Sequence, residues 1–316
     1  MKVLIVCRYK DNFAKHILPF VTEQGEALVN LGADVDYFTI KGKGLSAYFC
    51  NSSALKKKIR EFAPDVVHAH YGLSGITAVL QRRVPVVVTF HNGETLSIIT
   101  NLLSSFFSLF AKHTIYVAQH IYDLSYFKHK SNYTILPCGI SLEECVITDK
   151  SYSREKMKLS KDKKYILFGG AFSNLRKNYP LLQKAIQLLD RNDIEVLEMN
   201  GLSRSEITQL MCACDVFALP SKSEGSPQAL KEAMACNCPI VATDIADIKY
   251  LLGDIDGHYL CSFDAIDVAN KLQKALEFGE RTNGRKRIIE LGFENKMVAQ
   301  KIMTIYTQMV KVNNHQ

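Results

Sequence analysis

The chain has 316 residues, enough for two domains of ordinary size. Its 47% apolar and 22% charged residues exclude a disordered chain. Lys and Arg outnumber Asp and Glu by 39 to 32, a formal +7, but the excess is diffuse, which speaks against a nucleic-acid partner and suits bound phosphates or an acidic membrane surface.

In chain order, residues 3–7 form an apolar run too short for a signal peptide and followed at once by charge, so they read as a first buried strand. Further strands are expected at 35–39, 66–69, 84–90, 115–118 and 133–136, with amphipathic helices at 19–31, 55–62 and 73–81. Runs apolar on both faces, separated by helices, indicate a parallel sheet covered on both sides. Lys56, Lys57, Lys58 and Arg60 read as a solvated helix face. Residues 96–111 stand apart, being nearly all apolar, Ser, Thr or Asn, with Phe106, Phe107 and Phe110. They are too short to span a bilayer, which takes about 20 residues. A buried helix is the expectation; a helix lying on a membrane surface is the alternative, given Lys112 and the basic balance.

The polar stretch 148–156 reads as a linker, after which strands are expected at 165–168, 194–197, 216–219, 240–243 and 259–261. Ser203-Arg204-Ser205-Glu206 is a capping box, and a last helix runs from about 294 to 310. The expected fold class is α/β: two tandem doubly wound Rossmann-like domains, 1–147 and 148–294, with a C-terminal helix in 295–316 packing back on the first. Pro85 and Pro239 each open an apolar strand, where no ladder donor is lost. Ligands of such sheets bind outside the carboxyl ends of the strands, so the cleft between two facing sheets is the expected site. Nine scattered cysteines without a CxxC pair indicate a reduced, cytoplasmic protein, and Cys212, Cys214, Cys236 and Cys238 read as small core residues rather than zinc ligands.

The densest chemistry follows the strand at 216–219. Ser226 is a good N-cap and Pro227 suits a first helical position, so a helix starting there would aim unpaired N–H groups at an anion or hydroxyl. Gly225 lets a ligand approach the backbone closely. Glu224 on the loop and Glu232 in the helix can face one pocket. A second loop runs from Gly169-Gly170-Ala171 to Arg176-Lys177-Asn178: small residues admit a diphosphate and two cations neutralise it. A third strand delivers His91 at its end, ahead of Asn92-Gly93-Glu94. His68 and His70 share one strand face, but two ligands without a third make no metal site. They read as loop packing or, with Tyr71 and Gly72, as the acceptor side. The triplets Asp34-Val35-Asp36 and Asp254-Ile255-Asp256 fall on a strand and a late turn and read as structural.

The segment from Glu224 through Asp244 resembles the E-x7-E signature of the retaining family-4 (group 1) glycosyltransferases. Residues 166–178 are similar to that family's basic diphosphate loop, with Asn178 in place of a Gly. Residues 86–94 are similar to its Thr-Phe-His-Gly stretch, with Asn92 inserted. Pro137-Cys138-Gly139-Ile140 resembles its Pro-Asn-Gly-Val turn. The resemblance implies a GT-B fold, a nucleoside-diphosphate sugar donor, a carbohydrate or lipid-linked acceptor, retention at the sugar, and neither metal nor cofactor. A cytoplasmic enzyme in peripheral contact with the inner membrane face is consistent with it.

Residue by residue, it implies that Glu224 contacts the transferred sugar and that the backbone at Gly225, Ser226 and Pro227 meets sugar and phosphate. Glu232 would bind the ribose hydroxyls, and Arg176 and Lys177 would neutralise the diphosphate beside Gly170 and Ala171. His91 would approach the sugar, and the loop Asn200-Gly201-Leu202 the base. Residues 8–16 replace the Gly-Gly loop many members have, so Asn12, Lys15 or His16 would take over on the acceptor side. Asn237 stands where the family has Gly, at a turn that needs positive φ. Two rival readings stay open: a sugar-nucleotide-binding protein without transfer, and an epimerase on the same fold.

Overall fold

The computed structural model describes residues 1–11 and 16–313, so Asn12 and Lys15 lie outside the described residues. The chain divides into two compact units, one running from Met1 to Gly139 and resuming at Asn295, the other from Ile140 to Glu294.

In the first unit, β1 (Lys2–Arg8), α1 (Pro19–Asn30), β2 (Asp34–Ile40), α2 (Ser46–Cys50), α3 (Ser52–Phe62) and β3 (Val66–His70) come first. Then follow α4 (Gly72–Val79), β4 (Val86–Phe90), α5 (Ile98–Ser108), β5 (His113–Tyr116), α6 (Gln119–Leu124) and β6 (Tyr133–Ile135). The strands pair in parallel in the order β2-β1-β3-β4-β5-β6. Alternate residues feed opposite faces, as strand geometry requires. Leu4, Val6, Val86, Val88 and Phe90 enter one core layer, and Val3, Ile5, Cys7 and Val87 the other. This two-sided burial is why the strands read as unbroken apolar runs.

The second unit contains α7 (Lys150–Lys156), β7 (Lys164–Phe168), α8 (Tyr179–Leu188), β8 (Ile194–Glu198), α9 (Arg204–Ala213) and β9 (Val216–Leu219). It continues with α10 (Gln228–Ala235), β10 (Ile240–Thr243), α11 (Ile248–Leu252), β11 (His258–Cys261), α12 (Ala265–Phe278) and α13 (Gly284–Glu290). Its parallel sheet has the order β11-β10-β9-β7-β8. Pro85 and Pro239 do open equivalent strands, and each uses its carbonyl to accept from the neighbouring strand, from Val67 N and Phe217 N. Cys212, Cys214, Cys236 and Cys238 are all buried in the core of this unit. Helix α14 (Asn295–Asn313) belongs to the first unit, where Val298, Ala299, Ile302, Ile305 and Tyr306 join the layer containing Val3 and Ile5.

Two expectations need correction. The stretch 148–156 is not a linker: the changeover falls at Gly139 and Ile140, and α7 occupies most of that stretch. Asp149 caps α7 by accepting from Ser151 N and Tyr152 N, and Lys150 and Arg154 reach the buried Asp215 at 2.7 Å each. Its charges look like linker polarity in sequence because their partner lies on β9's approach, far along the chain. The second correction concerns α5, which is not a buried apolar helix. Its inward positions are Asn101, Ser104, Ser105 and Ser108, while Ile98, Ile99, Leu102 and Phe106 remain exposed.

Candidate functional site

In the second unit the chemistry gathers where β9 and β7 end. The β9 strand passes through Pro220 and Ser221 into a loop that Thr243 holds from β10, its Oγ1 donating to the Ser221 carbonyl at 2.7 Å. That loop carries Glu224, buried to 7% exposure. Lys177, from the loop after β7, places its Nζ 2.7 Å from Glu224 Oε1. The two loops are also joined by Lys222 N donating to the Arg176 carbonyl at 2.9 Å. Gly170 is required by this arrangement, because a Cβ there would come within 2.8 Å of Lys177 Cγ. Of the pair Arg176-Lys177, Lys177 is the one that meets Glu224; Arg176 is exposed. Asn178 adopts φ 62°, the left-handed turn for which Gly is the usual residue and Asn the next best. Asn237 does the same at φ 54°, and its side chain accepts from Arg285 N.

The start of α10 differs from expectation. Pro227 lies outside the helix as its capping residue, with ψ 117°, and Gln228 is first in; Ser226 makes no capping bond. The reason is local: the Pro227 carbonyl already accepts from Lys231 N, so an extended Pro227 closes the first turn. Gly225, Ser226 and Pro227 still line the approach to that helix end. Asp247, leading α11, faces this region: burial pushes its carboxyl up to about 6, against the opposing pull of Ser226 and Lys231. Lys231 itself is fully buried.

Glu232, one helix face further on, is paired with Arg204 at the start of α9. Arg204 directly follows Asn200-Gly201-Leu202 and Ser203, so that exposed loop lies next to the Glu232 pair in chain and in space. Ser203 and Glu206 form the expected capping box, which fixes Arg204 on the first turn. Ala171 precedes Phe172, whose N–H donates to Glu198 at the end of β8.

In the first unit, His91 leaves β4 into a ring cluster. His70 Nδ1 lies 3.0 Å from His91 Nε2, and the Cys138 thiol lies 3.7 Å from His91 Nδ1. Phe20 and Tyr71 rings pack at 4.9 and 4.8 Å from it. His68 stacks on His70 and bonds Thr89 Oγ1 at 2.7 Å and the Tyr306 hydroxyl. Burial holds His68 well below the usual imidazole range and His70 down to about 3, so both are neutral near pH 7. Asn92 takes φ 101°, which folds the loop so that the buried Glu94 accepts from Gly72 N at 2.6 Å and His91 N at 3.2 Å. Gly72 serves close packing: a Cβ there would meet Ser104 Cβ at 2.4 Å. His16 is placed away from this cluster, stacked on Tyr9 at 4.4 Å. Among the described residues, no three or more His, Cys, Asp or Glu side chains gather closely enough to hold a metal ion.

Phe20, Glu94, Arg204 and Asp247 are the site residues that sequence reasoning passed over. Arg204 alone carried a usable signal, since the capping box places it one residue inside a helix start.

The whole chain superposes on sucrose-phosphate synthase from Thermosynechococcus elongatus with a TM-score of 0.83 at 18% identity, covering 98% of this chain and 99% of that one. It superposes on Anabaena HepE, determined in complex with UDP and glucose, with a TM-score of 0.75 at 15% identity, covering 98% and 100%. The fold is accordingly GT-B, built from two Rossmann-like parallel-sheet domains. Residues 3–144 match the family described as Glycosyltransferase Family 4, and residues 163–277 the family described as Glycosyl transferases group 1. The chain belongs to these group 1, family 4 glycosyltransferases. It is 27% identical over 232 residues to a Bacillus subtilis protein described as a teichuronic acid biosynthesis glycosyltransferase, TuaC, covering 64% of this chain and 59% of that one. Over 113 residues it is 31% identical to the N,N'-diacetylbacillosaminyl-diphospho-undecaprenol alpha-1,3-N-acetylgalactosaminyltransferase of Campylobacter jejuni, covering 34% and 30%. The matches to these two relatives therefore span less than two thirds of their length.

Proposed function

We propose that the chain transfers a sugar from a nucleoside-diphosphate sugar to an acceptor hydroxyl, with retention and without a metal or cofactor. The observation that carries this reading is the buried Lys177–Glu224 pair at the end of β9, with Glu232 held by Arg204 eight positions after Glu224. Lys177 offers a cation to the departing diphosphate, and the start of α10 offers backbone N–H groups to the same charge; stabilising charge that develops on a leaving group is usually the largest catalytic effect. Glu224 is assigned to the sugar, Glu232 to the ribose, and the loop 200–202 to the base. Arg176, being exposed, is assigned a secondary part in drawing the diphosphate in. On the first unit, His91 is the proposed sugar-contacting residue, with Tyr71 and Gly72 on the acceptor side. HepE binds UDP and glucose and the Campylobacter relative is named for a diphospho-undecaprenol substrate, which supports a UDP-sugar donor and a lipid-linked acceptor here.

Screening nucleotide sugars by thermal shift should single out one donor by a rise in melting temperature. Glu232→Ala should then weaken that donor about thirtyfold by calorimetry, the loss of charge-assisted bonds worth about 2 kcal/mol. Unchanged affinity in this variant would remove the ribose assignment. Product formed only when an acceptor is supplied separates transfer from epimerisation and from binding alone.

A further inference from the structure

Helix α5 is built inside out. A surface helix ordinarily turns its apolar stripe inward and its polar face to water. Here Ser105 Oγ donates to the Asn101 carbonyl at 2.6 Å and Ser108 Oγ to the Ser105 carbonyl at 2.8 Å, so these two inward hydroxyls are satisfied within the helix itself. The close approach of Gly72 to Ser104 leaves no room for larger side chains on that face. The large ones point outward: Ile98 is 67% exposed, Ile99 62%, Phe106 44% and Phe110 62%. These positions recur at helical spacing and form one stripe. Phe127 extends it, its ring 5.8 Å from that of Phe106. A contiguous exposed apolar patch of this kind marks an interaction surface.

The charge beside the stripe identifies the partner. A cavity of about 550 Å³ is walled by Phe106, Phe107 and Phe110 on one side and by Arg82, Arg83 and Lys112 on another. All three cations are exposed, and among the described residues no Asp or Glu lines the cavity. Lys128 and Lys130 follow Phe127 in the chain and add the same sign. Apolar rings beside a single-sign cationic rim match the acyl boundary and the headgroups of an anionic bilayer. A second copy of the chain would bring these cations against their own equivalents, which like-charge repulsion opposes.

We propose that the α5 stripe and the Arg82–Arg83–Lys112 cavity form a docking site for an anionic lipid surface, with α5 lying in the interface plane and the cations holding lipid phosphates. This inference is independent of the transferase reading, since its test needs neither donor nor acceptor. Purified full-length protein is sedimented with vesicles of phosphatidylcholine alone and of phosphatidylcholine mixed with phosphatidylglycerol. The wild type should pellet with the mixed vesicles, less so in high salt. The double variants Phe106→Ser with Phe110→Ser, and Arg82→Glu with Arg83→Glu, should each partition at least about tenfold more weakly. Both alter exposed side chains, so their melting temperatures should match the wild type. Equal partitioning of wild type and variants overturns the proposal, as does a wild type that ignores both vesicles. Self-association that the Phe variant abolishes, without vesicle binding, would overturn it in favour of a second copy.

Discussion

Lys177→Met should lower the transfer rate about a thousandfold at saturating donor, the size of effect expected when a group that stabilises leaving-group charge is removed. Stability must be separated from chemistry here. Lys177 and Glu224 are 13% and 7% exposed and 2.7 Å apart, so removing one leaves the other buried without its ion-pair partner. Breaking a buried pair in this way costs about 3–5 kcal/mol. The single variant should therefore melt well below the wild type. Lys177→Met combined with Glu224→Gln removes both charges and should recover most of that loss. It should not recover activity. Thermal denaturation and steady-state rates on the three proteins check both statements, and a double variant that is stable and active would show the pair to be structural only.

The sheets were legible because both are buried on two faces. Each run expected as a strand became one, including the short edge segment at β6, and the two strand-opening prolines fell where a missing N–H costs nothing. The return of α14 onto the first unit follows from Tyr306 and its apolar neighbours needing a second layer beside β1. What failed did so where partners are remote in sequence. Residues 148–156 look like a linker until Asp215, on the approach to β9, is placed beside Lys150 and Arg154. Helix α5 reads as buried because its composition is apolar, but composition says nothing about which face is turned inward.

The candidate site shows the same division. Lys177, Glu224 and His91 sit in loops that leave strand ends, and Glu232 in the helix that follows one of them, so local pattern reaches all four. Arg204 pairs with Glu232 across twenty-eight positions, and Phe20 reaches His91 from α1, which no local spacing records. Two asparagines depart from the family pattern, Asn92 by insertion and Asn178 by replacement. Both take positive φ, so they preserve turns that a bulkier residue would strain.

Asp247→Asn should stabilise the second unit by about 3 kcal/mol at pH 8 and by nothing at pH 4. The sign follows from burial, which raises the folded carboxyl from an ordinary 3.8 to about 6. Between those values the folded chain keeps a proton that the unfolded chain has released. Stability is therefore present in full below pH 4, falls as pH rises through 4 to 6, and stays reduced above 6. A shift of about two units is worth about 3 kcal/mol, and the neutral amide escapes that cost at high pH. Denaturant unfolding of both proteins at pH 4, 6 and 8 measures the difference directly. A gain that is equal at all three values would place the carboxyl in water. A carboxyl raised in this way by burial beside Glu224 and Lys231 is a candidate functional group, because perturbed carboxyls concentrate at functional sites. The stabilised variant should accordingly show altered donor affinity, which ties the charge of Asp247 to the Glu224 loop and not to the packing of α11 alone.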